Sequence, residues 1–231
     1  MNMRQMVAGW MLCLALVGCA QEKAEPTPLP RASVSGVDSA ADEAAVAQAF
    51  TAYQKALVAK DGKAAASMLT GDTIAYYAAL KKLALTAKEP YLRRARVSDQ
   101  LAVLYLRAGV EAADLRRWSA TDLAADAVRR GELNTSAIER MTVGEVKVSV
   151  DSASVTMILD GKANPFSLTF WREGGRWKFR MIPVLEAIEY AMRTQVEESH
   201  LTERQFVDKT LATILTSPDE LTAVWLPAGG G

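Results

Sequence analysis

Histidine and cysteine are almost missing from this chain: one His, His200, and two Cys, Cys13 and Cys19, stand among 231 residues. A zinc site takes three or four ligands drawn mainly from His, Cys and carboxylates, so no thiolate–imidazole set is available. Nucleophile–base chemistry built on imidazole has one place to draw from, and His200 follows Glu197-Glu198-Ser199 in a polar stretch that reads as exposed or capping. No glycine-rich phosphate loop of the required spacing occurs, and no serine sits in a nucleophile elbow. An excess of one charge is missing too. Lys and Arg number 27 against 27 Asp and Glu, so no global field gathers nucleic acid. These absences lead us to expect no metal, no cofactor and no nucleic-acid partner.

The N-terminus carries the strongest positive signal. Met1 to Gln5 holds one basic residue, Arg4, and Met6 to Val17 is nearly all apolar, too short to span a bilayer comfortably. Small residues follow, as in a secretory signal. Leu16-Val17-Gly18-Cys19 resembles the lipobox of bacterial lipoproteins. The resemblance implies cleavage before Cys19, a diacylglycerol thioether on its sulfur and acylation of its freed amine. Loss of 18 of 231 residues leaves 213, with Cys19 as the sole thiol and no disulfide available. Loss of Arg4 leaves 26 basic against 27 acidic side chains. Ala20 stands where the family's inner-membrane retention signal places Asp. The implied location is the outer membrane, facing the periplasm, with the lipid bilayer as first partner.

From Gln21 to Ser39, Pro26, Pro28 and Pro30 interrupt any apolar period, so residues 19–39 read as a tether. At about 3 Å per extended residue it reaches roughly 60 Å. Helical signal starts at Ser39, with Asp42 completing a possible capping box and Val46, Phe50, Tyr53 and Leu57 marking one face. Further helices are expected over Lys63–Leu69 and Thr73–Leu85, then from a Ser98 cap to Gly109, and from Ala112 or Thr121 to Arg130. After Asn134 the period changes to two. Val146/Val148/Val150, Val155/Met157/Leu159, Phe166/Leu168/Phe170 and Trp177/Phe179/Met181 read as four short strands joined by tight turns. Leu185, Ile188 and Met192 then define a helix. A last one is capped by Thr202 with Gln205 and closed by Ser217-Pro218, and the terminal glycines are expected to be mobile.

The expected class is α+β: N-terminal helices packed on a curved four-stranded antiparallel meander, with extra C-terminal helices. The segment Phe166–Phe179, FSLTFWREGGRWKF, with helices before it, resembles NTF2-like (SnoaL-like) domains, which often finish on a similar Gly-Trp-Lys strand. That resemblance sets residues 40–183 as the NTF2-like domain and 184–231 as a helical extension of it, behind a 1–18 signal peptide and the 19–39 tether. Two features depart from the family: the long helical stretch from Pro90 to Gly131 and the helices after the last strand.

Enzymes of this resemblance commonly use an Asp–His pair, or Tyr with Asp, inside the cone. Asp72, Tyr76, Tyr77 and Tyr105 are the candidates here. Asp72 near a phenol acts as a base if burial raises its pKa, although neighbouring Tyr76 and Tyr77 should not both face one cavity. For binding, Trp171, Lys178 and Arg180 sit on the face opposite Phe170, Trp177 and Phe179. Without an evident catalytic set, the residues favour a membrane-anchored binding or interaction protein for an envelope protein or small ligand. The alternatives are a small hydrolase or isomerase with an Asp–Tyr pocket, and a structural envelope protein.

Overall fold

A run of alanines and a phase-locked apolar stripe open the described chain as α1 (Ser39–Val58). The computed structural model describes residues 39–130, 135–215 and 217–230, so Cys19, the signal peptide and nearly all of the tether lie outside it. Asp42, expected in a capping box, pairs with Arg172 of the sheet. The short α2 (Gly62–Ser67) is capped by Asp61, whose carboxylate accepts from Ala64 N. α3 (Gly71–Thr86) and α4 (Glu89–Leu92) follow, with Pro90 in the first turn of α4.

α5 (Val97–Gly109) is the helix around which the others gather; Leu101 and Leu104 are almost wholly buried in it. Ser98 lies inside α5 and does not cap it. The Glu189 carboxylate from a later helix instead accepts the Ser98 N–H at 2.9 Å. The single helix expected near Thr121 is two, α6 (Ala112–Arg117) and α7 (Ala120–Arg129), because Ser119 and Asp122 form a capping box that restarts the helix. α2 packs closely on α7: a Cβ at Gly62 would come within 1.9 Å of Ala125 O, so only glycine fits this contact.

After α8 (Thr135–Arg140), the period-two segment forms β1 (Met141–Ser149), β2 (Ser152–Leu159), β3 (Lys162–Glu173) and β4 (Arg176–Arg180). They make one open antiparallel sheet in the order β1-β2-β3-β4, as the alternation implied. Gly174 and Gly175, both at positive φ, make the β3–β4 turn. Phe170 pairs with Phe179 and Ala153, so one face of the sheet is buried against α1. A large apolar side chain there is worth roughly 1.5–3 kcal/mol. The free edge of β4 is covered: Phe179 N donates to Met68 O and Thr70 N donates to Phe179 O.

α9 (Ile182–Ser199), α10 (Glu203–Leu211) and α11 (Pro218–Ala223) complete the chain. α9 and α10 pack against α5, and the outer sheet face keeps Trp171 39% exposed. Thr202 and Gln205 form the expected capping box, but Ser217-Pro218 starts α11 rather than only ending α10. The tail is fastened. Arg107 donates to the carbonyls of Leu83, Ala84, Ala87, Val224 and Trp225, and Gly229, expected to be mobile, donates to Leu85 O.

Candidate functional site

Three of the four candidate catalytic residues meet in one place. Tyr76 and Tyr77 of α3 and Tyr105 of α5 line a cavity of about 80 Å³ enclosed by α3, α5, α7 and α9. Its remaining wall is largely apolar, with Leu101, Leu123 and Ile188 among its residues. Both adjacent tyrosines reach it, contrary to the expectation from their spacing. The cavity is bounded by four helices, so residues a step of 100° apart on α3 both border it. Their rings meet edge to face, with centroids 6.1 Å apart.

Asp72 is elsewhere. It sits at the start of α3, where Thr70 Oγ1 and Arg180 Nε donate to its carboxylate, the latter at 2.6 Å. Partial burial pushes its pKa up, but those two hydrogen bonds and the Arg180 charge outweigh burial and leave it below the usual carboxylate value. A carboxylate so held is a poor base, and it faces the sheet rather than the tyrosines. The Asp72–tyrosine pair expected from sequence therefore does not form.

The carboxylate that meets a tyrosine is Asp99, on α5. Tyr76 Oη donates to Asp99 Oδ1 at 2.9 Å. Arg96 holds the same carboxylate through Nε at 2.8 Å and a second nitrogen at 3.0 Å. Burial, then the charge and hydrogen bond of Asp99, raise the Tyr76 pKa, so the phenol stays protonated with its proton aimed at Asp99. Its oxygen lone pairs remain for the cavity. Asp99 itself stands behind Tyr76 and orients it.

Two further groups were not anticipated. Asp126 of α7 lines the cavity and is ion-paired with Arg129 at 3.0 Å and Arg130 at 2.5 Å. Ser98 also lines it, its Oγ buried and, among the described residues, without a hydrogen-bond partner, as is Tyr105 Oη. Burial pushes the Tyr105 pKa up to about 12. The available signal for Ser98 was the stripe Ser98, Leu101, Ala102, Tyr105 at i, i+3, i+4 and i+7, an apolar helix face with a hydroxyl at each end.

The binding candidates form a second cluster on the outer sheet face. Trp171 pairs across the strands with Lys178, and the Arg180 guanidinium stacks 4.3 Å from the Trp171 ring centre. Lys178 pairs with Glu173 at 3.5 Å, and the Glu173 carboxylate also accepts from Gly71 N. A third region, between the buried sheet face, α1, α8 and α9, is an apolar cavity of about 120 Å³ with the half-exposed Phe166 among its lining residues. Among the described residues, no three His, Cys, Asp or Glu are placed to hold a metal ion, and no helix is long and apolar enough to cross a membrane. His200 ends α9 as an exposed residue in the left-handed conformation. No family model, no curated protein and no solved structure matches this chain, so its function has to be read from this geometry.

Proposed function

We propose that the protein is a small-substrate enzyme of the hydrolase or isomerase kind, working in the helix-lined cavity with Tyr76 and Asp99 in place of the Asp72 pair first expected. The Tyr76 Oη–Asp99 Oδ1 hydrogen bond at the cavity wall carries this reading. Tyr76 accepts a proton from the substrate, or from a water attacking it, as its own proton passes to Asp99. Arg96 fixes the carboxylate in the orientation that keeps the phenol proton on its side. Low polarity around the phenol strengthens each of these interactions relative to water. Asp99 is a positioning and relay residue, and Tyr76 is the group that touches the substrate.

The enzyme is further read as a lipid-anchored protein of the cell envelope with an NTF2-like domain. Leu16–Cys19 supports the anchor, and the helices-then-meander order with the Phe166–Phe179 motif supports the domain reading. Mass spectrometry of the protein from its native membrane tests the anchor. A Cys19 N-terminus carrying acyl chains is expected, and an unmodified Cys19 rejects it.

Turnover tests the enzyme reading. Hydrogen–deuterium exchange at the α-carbon of simple ketones, and hydrolysis of small esters, is expected above the buffer rate. Asp99→Asn and Tyr76→Phe should each lower it about 10²-fold or more, the usual contribution of a positioned acid–base group. Equal rates for the wild type and both variants reject the proposal. Far-UV circular dichroism separates relay from folding: loss of the relay lowers the rate of a variant whose spectrum matches the wild type, whereas a structural defect changes the spectrum.

A further inference from the structure

We infer that the helix-lined cavity is built for an uncharged carbonyl compound with a small apolar body, its oxygen taken by the Ser98 and Tyr105 hydroxyls. The inference takes this cavity as the substrate site and so rests on the reading above, which it extends to the class of molecule bound.

Among the described residues, three buried side-chain atoms lack a hydrogen-bond partner, and two of them, Ser98 Oγ and Tyr105 Oη, belong to residues that line this one cavity. Ser98 is only 8% exposed. A buried hydroxyl without a partner destabilises the folded chain, so its presence calls for a complementary group that arrives later. The two residues lie seven apart on α5, on one face, and a helical tyrosine leans back toward the helix N-terminus. The Tyr105 hydroxyl is thus directed toward the turn that carries Ser98. Two hydroxyl donors match the two lone pairs of one carbonyl oxygen.

The charges on this wall are already matched. Asp126 is held by Arg129 and Arg130, and Arg130 also donates to Gly109 O. Asp99, behind Tyr76, is held by Arg96. A charged ligand would enter a largely apolar space with no unengaged counter-charge. A plain hydrocarbon would fit the apolar wall and leave both hydroxyls unpartnered. An uncharged carbonyl compound meets both demands. At about 80 Å³ the enclosed space is smaller than the roughly 150 Å³ engineered cavity that accepts benzene. It takes a carbonyl group and the carbons beside it, with the rest of a ring or chain extending outward.

Ligand-observed NMR titrations of the full-length protein with cyclopentanone, cyclopentane and cyclopentanecarboxylate test the inference. Cyclopentanone should bind about fivefold or more tighter than either of the others, the worth of a neutral hydrogen bond or two. Tyr105→Phe and Ser98→Ala should each weaken cyclopentanone about fivefold and leave cyclopentane unchanged. Equal affinity for ketone and hydrocarbon, tighter binding of the carboxylate, or unchanged ketone binding in both variants overturns it. These outcomes are independent of turnover. Ketone selectivity together with an unaffected Asp99→Asn rate keeps the ligand class and removes the enzyme reading, and lost selectivity with an Asp99-dependent rate does the reverse.

Discussion

The outer sheet face and the helix-lined cavity are both mixtures of aromatic and polar side chains, yet they differ in one respect. On the sheet, Asp72 is held by Thr70 and Arg180, Arg180 covers Trp171, and Lys178 meets Glu173. Around the cavity, Ser98 and Tyr105 carry buried hydroxyls that no group among the described residues satisfies. The first cluster has the properties of a structural clasp that ties α3 to β4. The second has the properties of a site, because its stability is incomplete until something enters it. Residue type alone does not separate the two, whereas the partners of each polar atom do.

Substitutions probe that contrast from both sides, and the largest effect falls on the same helix as the unpartnered hydroxyls. Arg107 donates to five backbone carbonyls of α3 and the tail, and burial pushes its pKa down to about 10. Arg107→Met should cost about 3 kcal/mol, because it leaves several carbonyls buried without donors. Urea unfolding measures this, and a loss below 1 kcal/mol would mean that water replaces the guanidinium. Arg180→Met, which removes both the Trp171 stack and the Asp72 pair, should cost about 1 kcal/mol at this partly exposed position. An unchanged midpoint would show that the clasp contributes nothing.

Asp72→Asn is the smallest of the set, about 0.5 kcal/mol at neutral pH because the carboxylate is partly solvated. Its pH dependence is more telling than its size. The folded-state pKa of Asp72 lies below the ordinary carboxylate value of about 3.9. Its stabilisation is therefore fully present above that value and disappears as pH falls through the lower folded value. Wild type and variant should converge in acid. A difference that persists unchanged to low pH contradicts the ion pair as its source.

The sheet was readable in the sequence because alternation is local. Phe170 and Phe179 face inward, and Trp171, Lys178 and Arg180 face outward, wherever the strands end up. The tyrosine pocket was readable in part. Tyr76, Tyr77 and Tyr105 lie on helical faces that the period of 3.6 picks out, and they do converge. Asp72 stands four residues before Tyr76 in the sequence. Arg180, 108 residues away in sequence, claims that carboxylate, and no local pattern reports such a partner. Asp99, 23 residues from Tyr76, became visible only once α3 and α5 packed together. Ser98 was misread for a related reason: a serine near a helix start reads as a cap, but Glu189 from α9 supplies the acceptor at that position and leaves the serine hydroxyl to the cavity.

The most direct test of the claim that these hydroxyls await a ligand is the sign of a stability change. In ligand-free protein, the double variant Ser98→Ala/Tyr105→Phe should unfold at a higher urea concentration than the wild type, by about 1 kcal/mol with an unchanged slope, since two unpartnered buried groups are gone. A double variant less stable than the wild type by a similar amount would mean that the hydroxyls already have partners in the resting protein, and would contradict the account.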